Sequence, residues 1–419
     1  MNITLLLPLL VTAVGLYLLF KLGFFFILHP IKTVREFLAA AKDRDSRRAL
    51  FLALAGTLGV GNIFGVAAGI MIGGAGSLFW LFVSLFFSMV IKYAETLLVF
   101  DNSGVKGGMS GVISRTFKHR GPAFATVYAV FTVMLALFMG CAIQSSAVVD
   151  LCRSTLGLSP AIAGAILLIL FLPCLFGGTR KIENTTEIII PVTTIIYILL
   201  CLGVILLNFD GFGKVINEIV SSAFSPRSLA GGGVIIAIKE GFARGILSNE
   251  AGVGTSALAH SRAGGRSPHI AGLFGICEVF FDTSLLCMLT GFAILLSVER
   301  ISDYNTPMSL VRAAFANSLG EWAGILLLAC IFAFAYATLI CWYFYGREFA
   351  RLYFRRWGIV YTPLFLMFMI FSEAFSASLL LYITDVLLLF MALMTLSAIL
   401  KRSDRIKELS GEMKNPEQK

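Results

Sequence analysis

The sequence predicts an all-α membrane protein of eleven transmembrane helices, with one extra N-terminal span ahead of two five-helix halves in opposite orientations. Three observations carry this. The 419-residue chain is 58% hydrophobic and only 14% charged, where a soluble domain carries about 25% charged residues. Apolar runs long enough to cross a bilayer recur from end to end. The basic residues are segregated into alternate loops.

Residues 4–28 form the first run. It is too long for the apolar core of a secretory leader and lacks a small-residue cleavage pattern. A basic amphipathic stretch follows it, so 1–30 reads as a retained span and 31–49 as a basic cytoplasmic linker. Ten runs follow at 50–72, 77–100, 123–149, 160–177, 186–208, 231–256, 270–297, 321–345, 361–375 and 377–400. The last two are so close that 372–378 must turn tightly. Loops 29–49, 101–122, 178–185, 257–269 and 346–360 and the tail 401–419 hold 24 of the 33 Lys and Arg. The intervening loops hold five: Arg153, Lys214, Arg227, Arg300 and Arg312. This asymmetry predicts an external N-terminus and a cytoplasmic tail. It also accounts for the net charge of +9 without nucleic acid as a partner.

After the first span, ten runs divide into repeats at 50–208 and 231–400. Halves with an odd number of spans insert in opposite senses. Each opens on a glycine-interrupted run: GTLGVGNIFGVAAGIMIGGAG at 56–76 and GGGVIIAIKEGFARGILSNEAGVG at 231–254. Glycine costs a helix roughly 1 kcal/mol relative to alanine. Such runs either pack closely through small residues or break, and paired broken helices mark the midplane site of many transporters.

In Gly59-Val60-Gly61-Asn62 a break would expose backbone N–H groups at the positive end of a half-helix, a site for a carboxylate. Carbonyls freed just before it, at Ala55 and Leu58, suit a small cation. Gln144, beside Ser145 and Ser146, is either an amide facing the solute or a helix–helix hydrogen bond. Asp282 and Glu278 are intramembrane carboxylates and functional candidates on that ground, for cation attraction, proton carriage or a structural pair. The Thr338 hydroxyl, beside Ala337, suits a hard cation such as Na⁺, unless it bonds back to the carbonyl one turn earlier. Ser248-Asn249-Glu250-Ala251-Gly252 implies a polar, non-helical or water-lined segment. Glu240 and Arg244 stand at i, i+4, the spacing of a helical ion pair. Lys92 and Glu95 read as an interfacial i, i+3 pair, and Trp80, Trp322 and Trp342 as belt or packing residues.

The chemistry this excludes is as informative. The eight cysteines are scattered with no CxxC, the four histidines lack metal-ligand spacing, and no nucleophile–base pattern is present. The Gly59-x-Gly61 pair has no strand before it, so a nucleotide loop is excluded. No repeated filter motif or charge ring suggests a channel, although a channel or solute sensor stands as a rival class.

Several segments together resemble the alanine or glycine:cation symporter family: GTLGVGNIFGVAAGIMIGGAGSLFW (56–80), KYAE (92–95), FARGILSNEAGVGTSALAH (242–260), FFDT (280–283) and ATLICWYFYGRE (337–348). The resemblance implies a LeuT-like five-plus-five inverted repeat with one extra span. It also implies import of a small neutral amino acid, alanine or glycine, with Na⁺ as coupling ion and no other cofactor. Carried over, it places Val60, Gly61, Asn62 and Gln144 against the amino acid. Phe242 to Asn249 would form the opposite wall, and Ala55, Leu58 and Thr338 the sodium site. Val60 and Ala337 stand where the family usually has hydroxyl residues, which keeps proton-coupled or sodium-independent transport as an alternative, with Asp282 as carrier.

Overall fold

The computed structural model describes residues 5–101, 107–175, 178–224, 233–260, 267–355 and 358–411, and the regular structure among them is entirely helical. In chain order, α1 (Leu6–Leu22) stops at left-handed Gly23. The short α2 (Pro30–Ala40) starts on its proline, whose missing N–H costs nothing in a first turn. Helix α3 (Arg44–Thr57) is capped by Asp43, which accepts from Ser46 N–H at 2.8 Å. After a break, α4 (Gly61–Gly73) continues at 46° to α3. Next come α5 (Gly76–Asp101), α6 (Met109–Thr116), α7 (Lys118–Leu156), α8 (Pro160–Leu175), α9 (Gly178–Leu207) and α10 (Phe212–Phe224). Helix α11 (Gly233–Asn249) breaks at Glu250, whose φ is 55°, and the chain runs irregularly to α12 (Ala257–His260). The rest is α13 (Pro268–Ser297), α14 (Pro307–Leu319), α15 (Glu321–Phe354), α16 (Gly358–Ile370), α17 (Ala377–Lys401) and α18 (Ser403–Gly411).

Six of these helices are long and apolar enough to cross a membrane: α5, α7, α9 from Asn184, α13, α15 and α17. The bent α3–α4 pair makes a seventh if it is one span, and α1, α8 and α16 are shorter apolar helices. The first glycine-interrupted run breaks at 58–60, whereas the second continues as close-packed helix through Gly241 and Gly245 and breaks at Glu250. Gly231 and Gly232 lie outside the described residues, as do Arg227, Arg262, Arg266 and the end of the tail.

Helix α5 runs through the middle of the bundle between α11 and α13. The approach to α11 is tight enough that a Cβ on Gly241 would lie 2.5 Å from the Ser77 carbonyl. This buries charge within the protein rather than against lipid: Lys92, Glu95, Glu240, Arg244, Glu250, Glu278, Asp282 and Asp385 are all buried. Lys92 corrects the expected interfacial pair with Glu95. Its ammonium lies 3.4 Å from Glu278 on α13 and donates to Ser256 Oγ at 2.8 Å. Helical spacing says which neighbours on one helix can meet; it does not say which face another helix covers. The first and last described helices meet where Lys21 of α1 bonds Asp404 of α18 at 2.7 Å. That bond holds the Asp404 carboxyl below the usual carboxylate range.

Candidate functional site

The α3–α4 break is a short sequence of redirected backbone hydrogen bonds. Leu58, at φ −73° and ψ 76°, forms an inverse γ-turn in which Gly59 N–H donates to Thr57 O at 2.8 Å. Ala55 O thus loses the donor that a continuous helix would supply. Asn62 N–H donates to Gly59 O at 3.4 Å, so Leu58 O loses its donor too. Val60 N–H donates to Gln144 Oε1 at 2.9 Å, and Gly56 O accepts instead from the Trp342 indole at 3.2 Å. No described residue accepts from Gly61 N–H.

Three π-helical stretches converge on this break: Gly61–Gly65 opening α4, Phe138–Ile143 in α7 and Phe280–Cys287 in α13. Such widened turns interrupt the regular i→i−4 ladder and recur at functional sites. In α7 the widening ends at Gln144, whose amide donates to Met139 O at 3.3 Å while its oxygen serves Val60. In α13 it presents Asp282, which accepts from Asn62 Nδ2 at 2.5 Å, Ser248 Oγ at 2.5 Å and Thr283 Oγ1 at 3.1 Å. One carboxylate therefore joins α4, the end of α11 and α13. Asn62 also accepts from Gly59 N–H through Oδ1 at 3.3 Å.

On the other side of the break stands Thr338 of α15. A Cβ on Gly59 would lie 2.5 Å from Thr338 Oγ1 and 3.0 Å from Gln144 Oε1, so only glycine leaves this space open. Thr338 is buried and its hydroxyl has no partner among the described residues. The alternative back-bond is not made, whereas Thr132 and Thr290 do bond back to Tyr128 O and Leu286 O. Two freed carbonyls and an orphaned hydroxyl are hard oxygen donors, the set a small alkali cation takes.

The remaining candidates fall in different places. Asn249 ends α11, donating to Thr283 Oγ1 and accepting from Ala251 N–H, both at 3.0 Å. Glu278, one turn before Asp282, pairs instead with Lys92 at 3.4 Å and with His260 at 2.7 Å. Phe242 is not brought to the break; its ring stacks on Phe87 of α5 at 6.2 Å. The α11 residue facing the break is Leu247, whose side chain would lie 3.2 Å from a Cβ on Gly65 and whose carbonyl faces Gly61. Leu247 lies on the same helical face as Arg244, which was the available signal. Arg244 joins Glu240 at 3.2 Å, the expected helical pair, but also Asp385 of α17 at 2.7 Å. No pattern in the sequence pointed to Asp385.

Comparison with known proteins agrees with this architecture. Residues 1–415 match the model of the sodium:alanine symporter family. The sodium/alanine symporter AgcS of Methanococcus maripaludis is 32% identical over 354 residues, 80% of this chain and 77% of that protein. The amino-acid carrier protein AlsT of Bacillus subtilis is 30% identical over 346 residues, 80% of this chain and 73% of that one. The crystal structure of MhsT in complex with L-phenylalanine superposes with a TM-score of 0.59 over 87% of this chain and 94% of that one, at 17% identity. That likeness gives the LeuT-type fold alone. The chain belongs to the sodium:alanine symporter family.

Proposed function

We propose that this protein imports a small neutral amino acid, alanine or glycine, together with Na⁺. The reading takes eleven spans, an extra first one and then inverted repeats at 50–208 and 231–400, with the N-terminus outside and the tail in the cytoplasm of a bacterial-type inner membrane. The observation that carries it is the Gly59 break, where the Gly61 N–H, the Ala55 and Leu58 carbonyls and the facing Thr338 hydroxyl have no partner among the described residues. The carboxylate of the amino acid docks on Gly61 N–H at the positive end of α4. Asn62 and Gln144 lie in reach of its polar groups, and Asn249 with Thr283 holds the broken end of α11 in place. Leu247 walls the space and limits the side chain. Na⁺ takes Ala55 O, Leu58 O and Thr338 Oγ1. Both solutes bind the two ends of one break, so each lowers the cost of ordering it for the other. The name of AgcS supports sodium and alanine for this chain.

The test is uptake of labelled alanine and glycine into proteoliposomes with and without an inward Na⁺ gradient. Saturable uptake that collapses when choline replaces Na⁺ is expected. A second reading, proton coupling, draws on Asp282, a buried carboxyl with no ion-pair partner among the described residues. Under Na⁺ coupling, Asp282→Asn retains Na⁺ dependence at a reduced rate. Uptake driven by a proton gradient alone and lost in that variant would favour the second reading.

A further inference from the structure

Where α1, α2 and α18 meet, a cavity of about 620 Å³ opens to the surface. Lys21, Lys32 and Lys407 line it, and Phe20, Leu22 and Phe25 form an apolar wall. Against these stands one acid, Glu36, 3.9 Å from Lys32. His29 and His269 complete the polar rim, and His269 is bonded to Tyr93 at 2.7 Å. Lys21 is committed in part to Asp404, whereas Lys407 is exposed and has no ion-pair partner among the described residues.

The neighbouring surface shows where this cavity sits. Helix α2 leaves Ile31, Val34 and Leu38 exposed at 84%, 51% and 57%. Their spacing puts them on one outward stripe, with Lys32, Arg35 and Lys42 beside it. A short helix with an apolar stripe and basic flanks lies in the plane of the membrane interface. The cavity beside it therefore opens at headgroup depth, lined by both cations and aromatic rings.

We propose that this cavity binds an anionic phospholipid, with the phosphate between Lys21, Lys32 and Lys407 and the first methylenes of an acyl chain against Phe20 and Phe25. The charge excess favours a phosphodiester that carries a net negative charge over a zwitterionic one. The apolar wall favours a lipid over a free anion. Its floor, Tyr93 and His269, belongs to α5 and α13, so an occupant braces the two helices that carry Lys92 and Glu278.

The experiment titrates the purified full-length protein in detergent with phosphatidylglycerol, with phosphatidylcholine of the same chains, and with inorganic phosphate, reading thermal unfolding. Phosphatidylglycerol is expected to raise the unfolding temperature saturably, and the other two are not. Each cation near a membrane surface contributes about fivefold in affinity, so K32Q/K407Q should bind phosphatidylglycerol about 30-fold more weakly. K118Q, an exposed lysine outside the cavity, should leave it unchanged. Equal shifts with the two lipids, no shift with either, or a double variant that titrates like K118Q would overturn the proposal. An equal shift with inorganic phosphate would show that the site takes a free anion and not a lipid.

Discussion

Thr338→Val separates a hydroxyl that serves the fold from one that serves an ion. The substitution keeps the shape of the side chain and replaces Oγ1 with a methyl group. That oxygen is buried without a partner among the described residues, and a buried hydroxyl left unbonded costs about 1–3 kcal/mol. In choline chloride, Thr338→Val should therefore be more stable than the unsubstituted protein by about that amount. In Na⁺ the order changes. A ligand at 100 times its Kd adds about 2.7 kcal/mol to a protein that binds it, and the variant lacks one of the three proposed oxygens. Sodium should stabilise the unsubstituted protein and Thr338→Ser, and stabilise Thr338→Val much less. Thermal unfolding of detergent-purified protein in the two salts measures all three. If Thr338→Val is the less stable protein in choline, the hydroxyl is bonded within the fold and the reasoning fails. If all three gain equally from Na⁺, the ion sits elsewhere.

Two further substitutions probe the surrounding frame. Arg244→Ala leaves Asp385 buried without its cation, while Glu240 keeps Lys239 at 3.1 Å, and should cost about 3–5 kcal/mol; the double change Arg244→Met with Asp385→Leu should cost less because Asp385 is no longer stranded, and chemical unfolding of the two variants compares them. Gly140→Ala places a Cβ 2.3 Å from Trp342. That should cost at least about 1–3 kcal/mol in overpacking and lower the uptake rate by displacing the indole from Gly56 O; unaltered uptake would show that this hydrogen bond is dispensable.

The broken helices were legible because glycine at 59 and 61 conflicts with an uninterrupted span, and because Ser248–Gly252 is too polar for one. The basic segments were legible by charge, but not as helix: 178–185 opens α9, 346–354 continues α15 and 403–411 is α18. What could not be read was the partner across the bundle. Gln144 was visible as an amide in an apolar run, but its acceptor role toward Val60, 84 residues away, depends on how α7 is rotated. A π-helical turn changes that rotation, and no residue pattern announced the ones in α7 and α13. The same limit explains Lys92 and Asp385. Burial of a charge can be inferred from its apolar flanks, but its counter-charge lies on a helix distant in sequence. Within the expected wall of Phe242 to Asn249, the rotation of α11 turns Leu247 toward Gly61 and Gly65 and the Phe242 ring toward Phe87.

Trp342 gives the break an optical property. The chain has four tryptophans; Trp322 is largely exposed and Trp80 is half-buried, while the Trp342 indole is wholly enclosed and bonded to Gly56 O. A movement that carries the end of α3 away from α15 breaks that bond and alters the polarity around the ring. With the other tryptophans replaced by phenylalanine, emission from this one residue would follow the junction in unlabelled protein, on the timescale of mixing with solute and ion.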